Sequence, residues 1–346
     1  MKFSSWLLLA LIPGAVWAAP ASRVETRFIE SRVLADNRIG LETQRRLKVY
    51  LPAGYGQGRQ RYPVIYMLHG LNWNNERMFD AASTTQSRFD QAIASGIIAP
   101  FIAVAPDYSG PGAGSFFADS ETAGRWETHT LTEVIPYVDA NYRTLASARS
   151  RAIMGEHMGA YGALLYAFRN PQVFGSVYAL HPVGTGSGLV PMPSRPDWNK
   201  IHAARSNADL AGDPYTPVFV LMQQTFLPNA GRPPFYCDFF VDLVDGKPVV
   251  NAQKMQLLKS RFLLDAVVND YLANVRALRG IKFDWGRYDP NQDHVYANQA
   301  FTRKLDDLGI EHVAEEFGGL PWDKYWIAEG RVLTDVLPFF ARHLVF

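Results

Sequence analysis

Residues 155–159 read Gly155-Glu156-His157-Met158-Gly159, a histidine held between two glycines. A β-rich run from Ser150 to Met154 leads into this segment. A helical pattern with small residues at Ala160, Gly162 and Ala163 leads out of it to Arg169, just before Pro171. A strand, a Gly-x-X-x-Gly turn and a helix, in that order, form a strained bend that lifts its central side chain to the carboxyl end of the strand. The glycines are required because helix and strand pack too closely for side chains between them. An imidazole in that place has no hydroxyl to acylate, but it can hold or take a proton near neutral pH. Glu156 precedes the lifted residue and is expected to point away from it, into a structural salt bridge.

Other candidate groups surround this turn in the sequence. His181 follows the β-rich run Phe174 to Leu180, so it is expected at the carboxyl end of its strand, where it is free to join His157 in a pocket or a metal site. No His-x-x-x-His or Cys-His spacing accompanies it, and neither a metal nor another cofactor is expected. His294 opens a helical pattern and is expected at the surface. Ser115, in Gly114-Ser115-Phe116-Phe117, lies in a loop after a strand and is expected to contact ligand, with no base assigned to it. Trp126 and Trp322 are further ligand-contact candidates. Glu127 either orients the Trp126 loop or faces solvent, and Phe235, Tyr236 and Phe239 either line a pocket or pack in the core.

The elements that must position these groups are legible as alternating patterns. Arg46 to Leu51 alternates polar and apolar and stops at Pro52, as a half-exposed strand does. Tyr62 to Leu68 and Phe101 to Ala105 are almost wholly apolar, as strands covered on both faces of a parallel sheet are. Ile281 to Trp285 and His312 to Phe317 continue the series. Helices are expected from about His294 to Leu308 and from Leu333 to Leu344. A long helix is expected over Met255, Leu258, Phe262, Val268, Tyr271, Leu272 and Val275, ending at Gly280. Strands alternating with helices define an α/β chain with a mostly parallel central sheet flanked by helices. The Pro- and Gly-rich stretch that starts near His181 is too long for an ordinary loop, so residues 183–275 are expected to form an inserted lid or pocket wall.

Bulk properties narrow the partners. With 34 Lys and Arg against 33 Asp and Glu, the formal charge is +1, and no charged run suggests nucleic acid or an anionic membrane surface. Lys2, the apolar stretch Trp6 to Trp17 and the sequence Val16-Trp17-Ala18 read as a secretory signal cleaved after Ala18, which implies a periplasmic or secreted protein. Pro13 and Gly14 break that stretch, which is too short to span a membrane, and nothing later approaches a span. Cys237 is the single cysteine, so no internal disulfide is possible. An aromatic content of 13% suits either an aromatic-lined pocket for a small-molecule ligand or a large core. Nothing in the sequence bears on oligomeric state.

Taken together, these segments resemble the putative-esterase family of α/β-hydrolases, which includes esterase D, feruloyl esterases and mycolyltransferases. The resemblance is carried by Tyr62-Pro-Val-Ile-Tyr-Met-Leu-His-Gly70, Ser115-Phe-Phe-Ala-Asp119, Trp126-Glu-Thr128 and Met154-Gly-Glu-His-Met-Gly-Ala-Tyr-Gly-Ala-Leu164. Asn170-Pro-Gln-Val-Phe-Gly175, Gly286-Arg-Tyr-Asp289 and Leu337-Pro-Phe-Phe340 extend it. It implies an α/β-hydrolase fold and acyl-ester chemistry. It also implies that His157 stands at the family's serine, that Asp289 is the family's acid, and that Leu320, in Gly318-Gly319-Leu320-Pro321-Trp322, stands at its catalytic histidine. The backbone N–H groups of Leu71 and Met158 are the implied oxyanion donors. Ordinary acyl-serine chemistry is then closed, and three functions stay open. They are binding of a small acyl or aromatic ligand in an inactive pocket, serine-independent catalysis by a hydrogen-bonded His157–Asp289 general-base dyad, and ester chemistry from an unrecognised nucleophile.

Overall fold

The apolar runs stack side by side. The computed structural model describes residues 21–346, and the expected signal segment, residues 1–18, lies outside the described residues. Eight strands form the central sheet: β1 (Arg23–Glu30), β2 (Gln44–Leu51), β3 (Val64–Leu68), β4 (Ile102–Pro106), β5 (Arg151–Glu156), β6 (Ser176–Leu180), β7 (Gly280–Gly286) and β8 (Val313–Phe317). Their order across the sheet is β1-β2-β4-β3-β5-β6-β7-β8. β1 and β2 pair antiparallel, as do β2 and β4, and every later pairing is parallel.

Alternation along each strand fills two apolar layers. Val49, Val64, Tyr66, Val104, Ile153 and Val177 enter the core on one face, while Tyr50, Ile65, Met67, Ala103, Met154 and Tyr178 enter the core on the other. Burial on both faces is why the central strands read as continuous hydrophobic runs. β1 is the strand that its sequence does not announce. It is an edge strand whose exposed side carries charged residues, and it pairs residue for residue with β2.

The helices depart from expectation in two physical ways. The single helix expected across residues 255–275 is three, Ala252–Phe262, Leu264–Asp270 and Leu272–Arg276. Leu263 is extended, and the amides of Leu264 and Asp265 donate to the carbonyls of Gly184 and Thr185 at 2.9 and 3.0 Å, so a tertiary contact takes over from the helix ladder. A π turn, Val332–Val336, precedes Pro338 in the expected C-terminal helix, and another, Thr130–Val134, precedes Pro136 in a helical stretch that starts at Trp126. Proline has no N–H to extend the regular ladder.

The turn at residues 155–159 is enforced by contact. A Cβ on Gly155 would lie 2.1 Å from the Gly159 carbonyl oxygen, and a Cβ on Gly159 would lie 2.1 Å from the Leu68 carbonyl oxygen. The helix that follows, Met158–Arg169, is buried from Met158 through Phe168. Backbone on both sides leaves no room to relax, so Gly159→Ala is expected to cost about 3 kcal/mol or more. Thermal unfolding of the variant measures it, and an unchanged midpoint would contradict this packing.

Candidate active site

His157 sits at the apex of the turn with φ 55° and ψ −112°, a conformation that a non-glycine residue adopts only when its surroundings impose it. Its N–H donates to the Leu180 carbonyl at 2.9 Å and its carbonyl accepts from Tyr161 N–H at 3.2 Å, which clamps the apex to β6 and to the helix. The ring packs among His181, His294 and Trp322, with centroid separations of 6.3, 5.4 and 5.9 Å. Burial pushes its pKa well down, neighbouring His294 and His181 push the same way, and Asp289 opposes them. His157 is therefore neutral at physiological pH.

Asp289 organises the other two imidazoles. Its Oδ2 accepts from His181 Nε2 and from His294 Nδ1, each at 2.7 Å, and its Oδ1 accepts from the Asn291 N–H at 2.8 Å. Burial alone would raise the carboxyl, but these bonds hold it well below the usual carboxylate range. The tautomers follow. The Gly286 N–H donates to His181 Nδ1 at 3.1 Å, so the His181 proton is on Nε2. The Asn291 side-chain amide donates to His294 Nε2 at 2.9 Å, so the His294 proton is on Nδ1. His181 is fully buried, and burial lowers its pKa against the pull of Asp289, so it too is neutral.

The expected hydrogen bond between His157 and Asp289 is not formed. Both carboxylate oxygens of Asp289 are engaged elsewhere, and the His157 side chain has no hydrogen-bond partner among the described residues. His294 is one of the residues whose expected position the structure corrects. Expected at the surface, it turns its ring inward to Asp289, five positions earlier, from the first turn of the helix Gln292–Asp307. The five-residue spacing was the available signal. Ligand-type atoms of His181, Asp289 and His294 lie within 4.8 Å of one another, a grouping able in principle to hold a metal. The His181 tautomer argues against it: with Nδ1 accepting from a backbone N–H, Nε2 carries a proton and offers no lone pair.

Above the apex, the amides of Leu71 and Met158 have no hydrogen-bond partner among the described residues, and both residues line the cavity. His69 sets the first of these. It accepts from Tyr108 N–H at 2.8 Å through Nε2 and donates from Nδ1 to the Gly70 carbonyl at 2.9 Å, pinning the ends of β3 and β4 together. Two free N–H groups on one cavity wall are suited to an oxygen carrying negative charge. The cavity itself holds about 910 Å³. Residues 183–275 supply much of its wall, with Val183, Met192, Val218, Phe219, Met222 and Phe262 making it largely apolar.

Of the other sequence candidates, Trp322 and His181 line the cavity and Ser115 and Trp126 do not. Ser115 is buried with its hydroxyl unpaired. Trp126 is buried under the Arg45 guanidinium and beside Tyr108, with its indole N–H bonded to the Ala123 carbonyl. Glu127 accepts from Arg169 and Asn170 at 2.7 and 2.8 Å, tying the Trp126 segment to the end of the buried helix. Phe235 belongs to the core, Phe239 is partly buried against it, and neither they nor Tyr236 line the cavity wall. Leu320 is 42% exposed and is also absent from it. Glu156 forms no salt bridge among the described residues. Its carboxyl accepts the Trp326 indole N–H at 2.6 Å, and burial pushes it up to about 7.

The strand order and the turn between β5 and its helix define an α/β-hydrolase. Within that class, the chain belongs to the family described as putative esterase, whose model matches residues 40–234. It is 37% identical over 136 residues to an endo-1,4-beta-xylanase/feruloyl esterase of Xylanibacter ruminicola, a match that covers 37% of this chain and 18% of that protein. The chain thus spans less than a fifth of that relative. A solved ferulic acid esterase superposes with a TM-score of 0.64 at 21% identity, covering 93% of this chain and 98% of the other. A ferulic acid esterase of Anaeromyces mucronatus in complex with ferulic acid superposes at 0.53 with 17% identity, covering 96% and 94%. Both structural likenesses speak to the fold. No helix among the described residues is long and apolar enough to cross a membrane.

Two predictions come from this geometry. Between about pH 4.5 and about 7 the folded protein keeps a proton on Glu156 that the unfolded chain releases, so stability falls as pH rises through that window. Glu156→Gln removes that loss, and the drop in unfolding temperature from about pH 5 to about pH 8 is expected to shrink in the variant. With protons on His181 Nε2 and His294 Nδ1, added zinc or EDTA is expected to leave the unfolding temperature unchanged. A zinc-dependent rise of more than about 3 °C would contradict the tautomers.

Proposed function

We propose that this protein is an exported esterase homologue that binds a small, largely apolar acyl or aromatic compound by its carbonyl or carboxylate group, without acyl-serine chemistry. The observation that carries the reading is the pair of unpartnered amides, Leu71 and Met158, opening beside neutral His157 into a cavity of about 910 Å³. An oxygen of the ligand accepts from these amides. The apolar wall takes the acyl chain or ring, and the His157 ring and Trp322 close against its polar end. The ferulic esters that name several relatives have this shape and polarity.

The family resemblance supports the chemical half of the proposal. It aligns His157 with the nucleophilic serine and Leu320 with the catalytic histidine. An imidazole at the apex presents no hydroxyl, and an exposed leucine cannot take a proton. Ser115, the hydroxyl singled out from the sequence, is buried outside the cavity wall and has no base beside it, which speaks against it as a substitute nucleophile. Segment 183–275 serves as the lid over the bound compound. The pattern of residues 1–18 supports a role in the periplasm or outside the cell.

Titration calorimetry with ferulic acid and methyl ferulate tests the reading, followed by recovery of the ligand. Saturable binding is expected, with methyl ferulate recovered as the intact ester and no labelling of the native protein by a fluorophosphonate. Absence of binding, or labelling of a serine, would overturn it.

A further inference from the structure

The resemblance leaves this site without a base, because its histidine position is Leu320. The structure assigns that role to His294: we propose that His294 paired with Asp289 is the base of this centre, and that the site lacks only a hydroxyl at the apex. This rests on the reading that an acyl carbonyl is held at the Leu71 and Met158 amides.

The geometry separates His294 from its neighbours. A base in this setting needs one nitrogen donating to a carboxylate and the other unprotonated, with its lone pair toward the cavity. His294 meets both requirements. Its Nδ1 donates to Asp289 at 2.7 Å, its Nε2 is a lone-pair acceptor, and its ring lies 5.4 Å from the His157 ring on the cavity wall. The sole partner of Nε2 among the described residues is the side-chain amide of the half-buried Asn291, whose own Oδ1 accepts from Arg195 at 3.4 Å, so a hydroxyl at the apex must displace a single side-chain donor to reach Nε2. His181 shares the same carboxylate but has no nitrogen to offer. One of its nitrogens is held by Asp289 and the other by a backbone N–H that cannot move away. His157 has no carboxylate partner and is the group that occupies the place of the attacking atom.

A serine at position 157 completes the centre. Its Oγ bonds to the carbonyl carbon of an ester while its proton passes to His294 Nε2, and the carbonyl oxygen takes the negative charge at the two amides. Collapse breaks the bond to the alcohol, which leaves with that proton. Water then repeats the sequence on the acyl-serine, returning the acid and the free hydroxyl. No co-reactant other than water is needed.

The test uses the full-length protein carrying His157→Ser, alone and with His294→Ala. The serine variant is expected to react with a fluorophosphonate and to hydrolyse p-nitrophenyl acetate about 100-fold or more faster than the native protein. Its kcat/KM is expected to fall in acid, where the base is protonated. Adding His294→Ala is expected to remove that acid limb and to lower turnover by about 100-fold or more. A folded His157→Ser protein that is not labelled, or one whose turnover and pH profile survive His294→Ala, overturns the assignment. Should the serine variant not fold, His157→Cys gives a second reading through its rate of alkylation by iodoacetamide against pH. A thiol pKa depressed only while His294 is present supports the pair, and one that His294→Ala leaves unmoved overturns it. Failure of the native protein to bind methyl ferulate would strike the underlying reading instead, which keeps the two outcomes apart.

Discussion

One carboxylate oxygen, Asp289 Oδ2, receives two imidazole N–H groups, and the polar arrangement around the cavity floor follows from that. The bond to His181 ties the segment after β7 to the end of β6, and the bond to His294 ties it to the start of a helix. Because Asp289 holds its charge, the proton of each ring must lie on the side facing it. The remaining nitrogens are then acceptors, and each finds a donor of its own, Gly286 N–H for His181 and the Asn291 amide for His294. A buried charge is tolerable only when it is hydrogen-bonded this thoroughly. With its oxygens engaged, Asp289 has nothing to offer His157 except its field, and the apex ring stays neutral.

The backbone around that ring is shaped independently of its side chain. Close approach of Gly155 to Gly159, and of Gly159 to the end of β3, forces the chain into a sharp turn. A turn of that kind leaves the first amides of the following helix without partners inside it, and Met158 N–H is one of these. His69 does the corresponding work on the neighbouring strand end, where it holds the Gly70 carbonyl back and leaves Leu71 N–H free. An arrangement of backbone amides survives any change of the apex residue, because no side-chain atom takes part. An α/β-hydrolase scaffold can therefore keep these two amides free whatever residue stands at the apex.

The same economy appears at Glu156, one residue before the apex. Strand alternation turns it into the opposite apolar layer, where it has no salt-bridge partner among the described residues, Arg77 acts on it only through its field, and the Trp326 indole is its hydrogen-bond donor. Its raised pKa follows from desolvation rather than from proximity to the histidines, so its titration belongs to the energetics of folding although the residue borders the cavity.

Much of this protein was determined by sequence alone. Runs buried on both faces identify β3, β4, β5 and β6, and two glycines around His157 identify the turn, since each is a local consequence of packing or backbone sterics. Family membership rests on the same residues, and Leu71, Met158, His181 and Trp322 were all legible as cavity residues. Tertiary structure decided the rest. A carboxylate chooses its partners by distance in three dimensions, and Asp289 takes His181, 108 positions away, and His294, five away, in preference to the apex histidine. Ser115 and Trp126 sit in the right segments but face inward, a matter of side-chain direction that spacing does not encode. The division of the long helix near Leu263 likewise depends on carbonyls of Gly184 and Thr185 arriving from far along the chain. Local periodicity describes an element, but only the packed chain shows which group its last hydrogen bond serves.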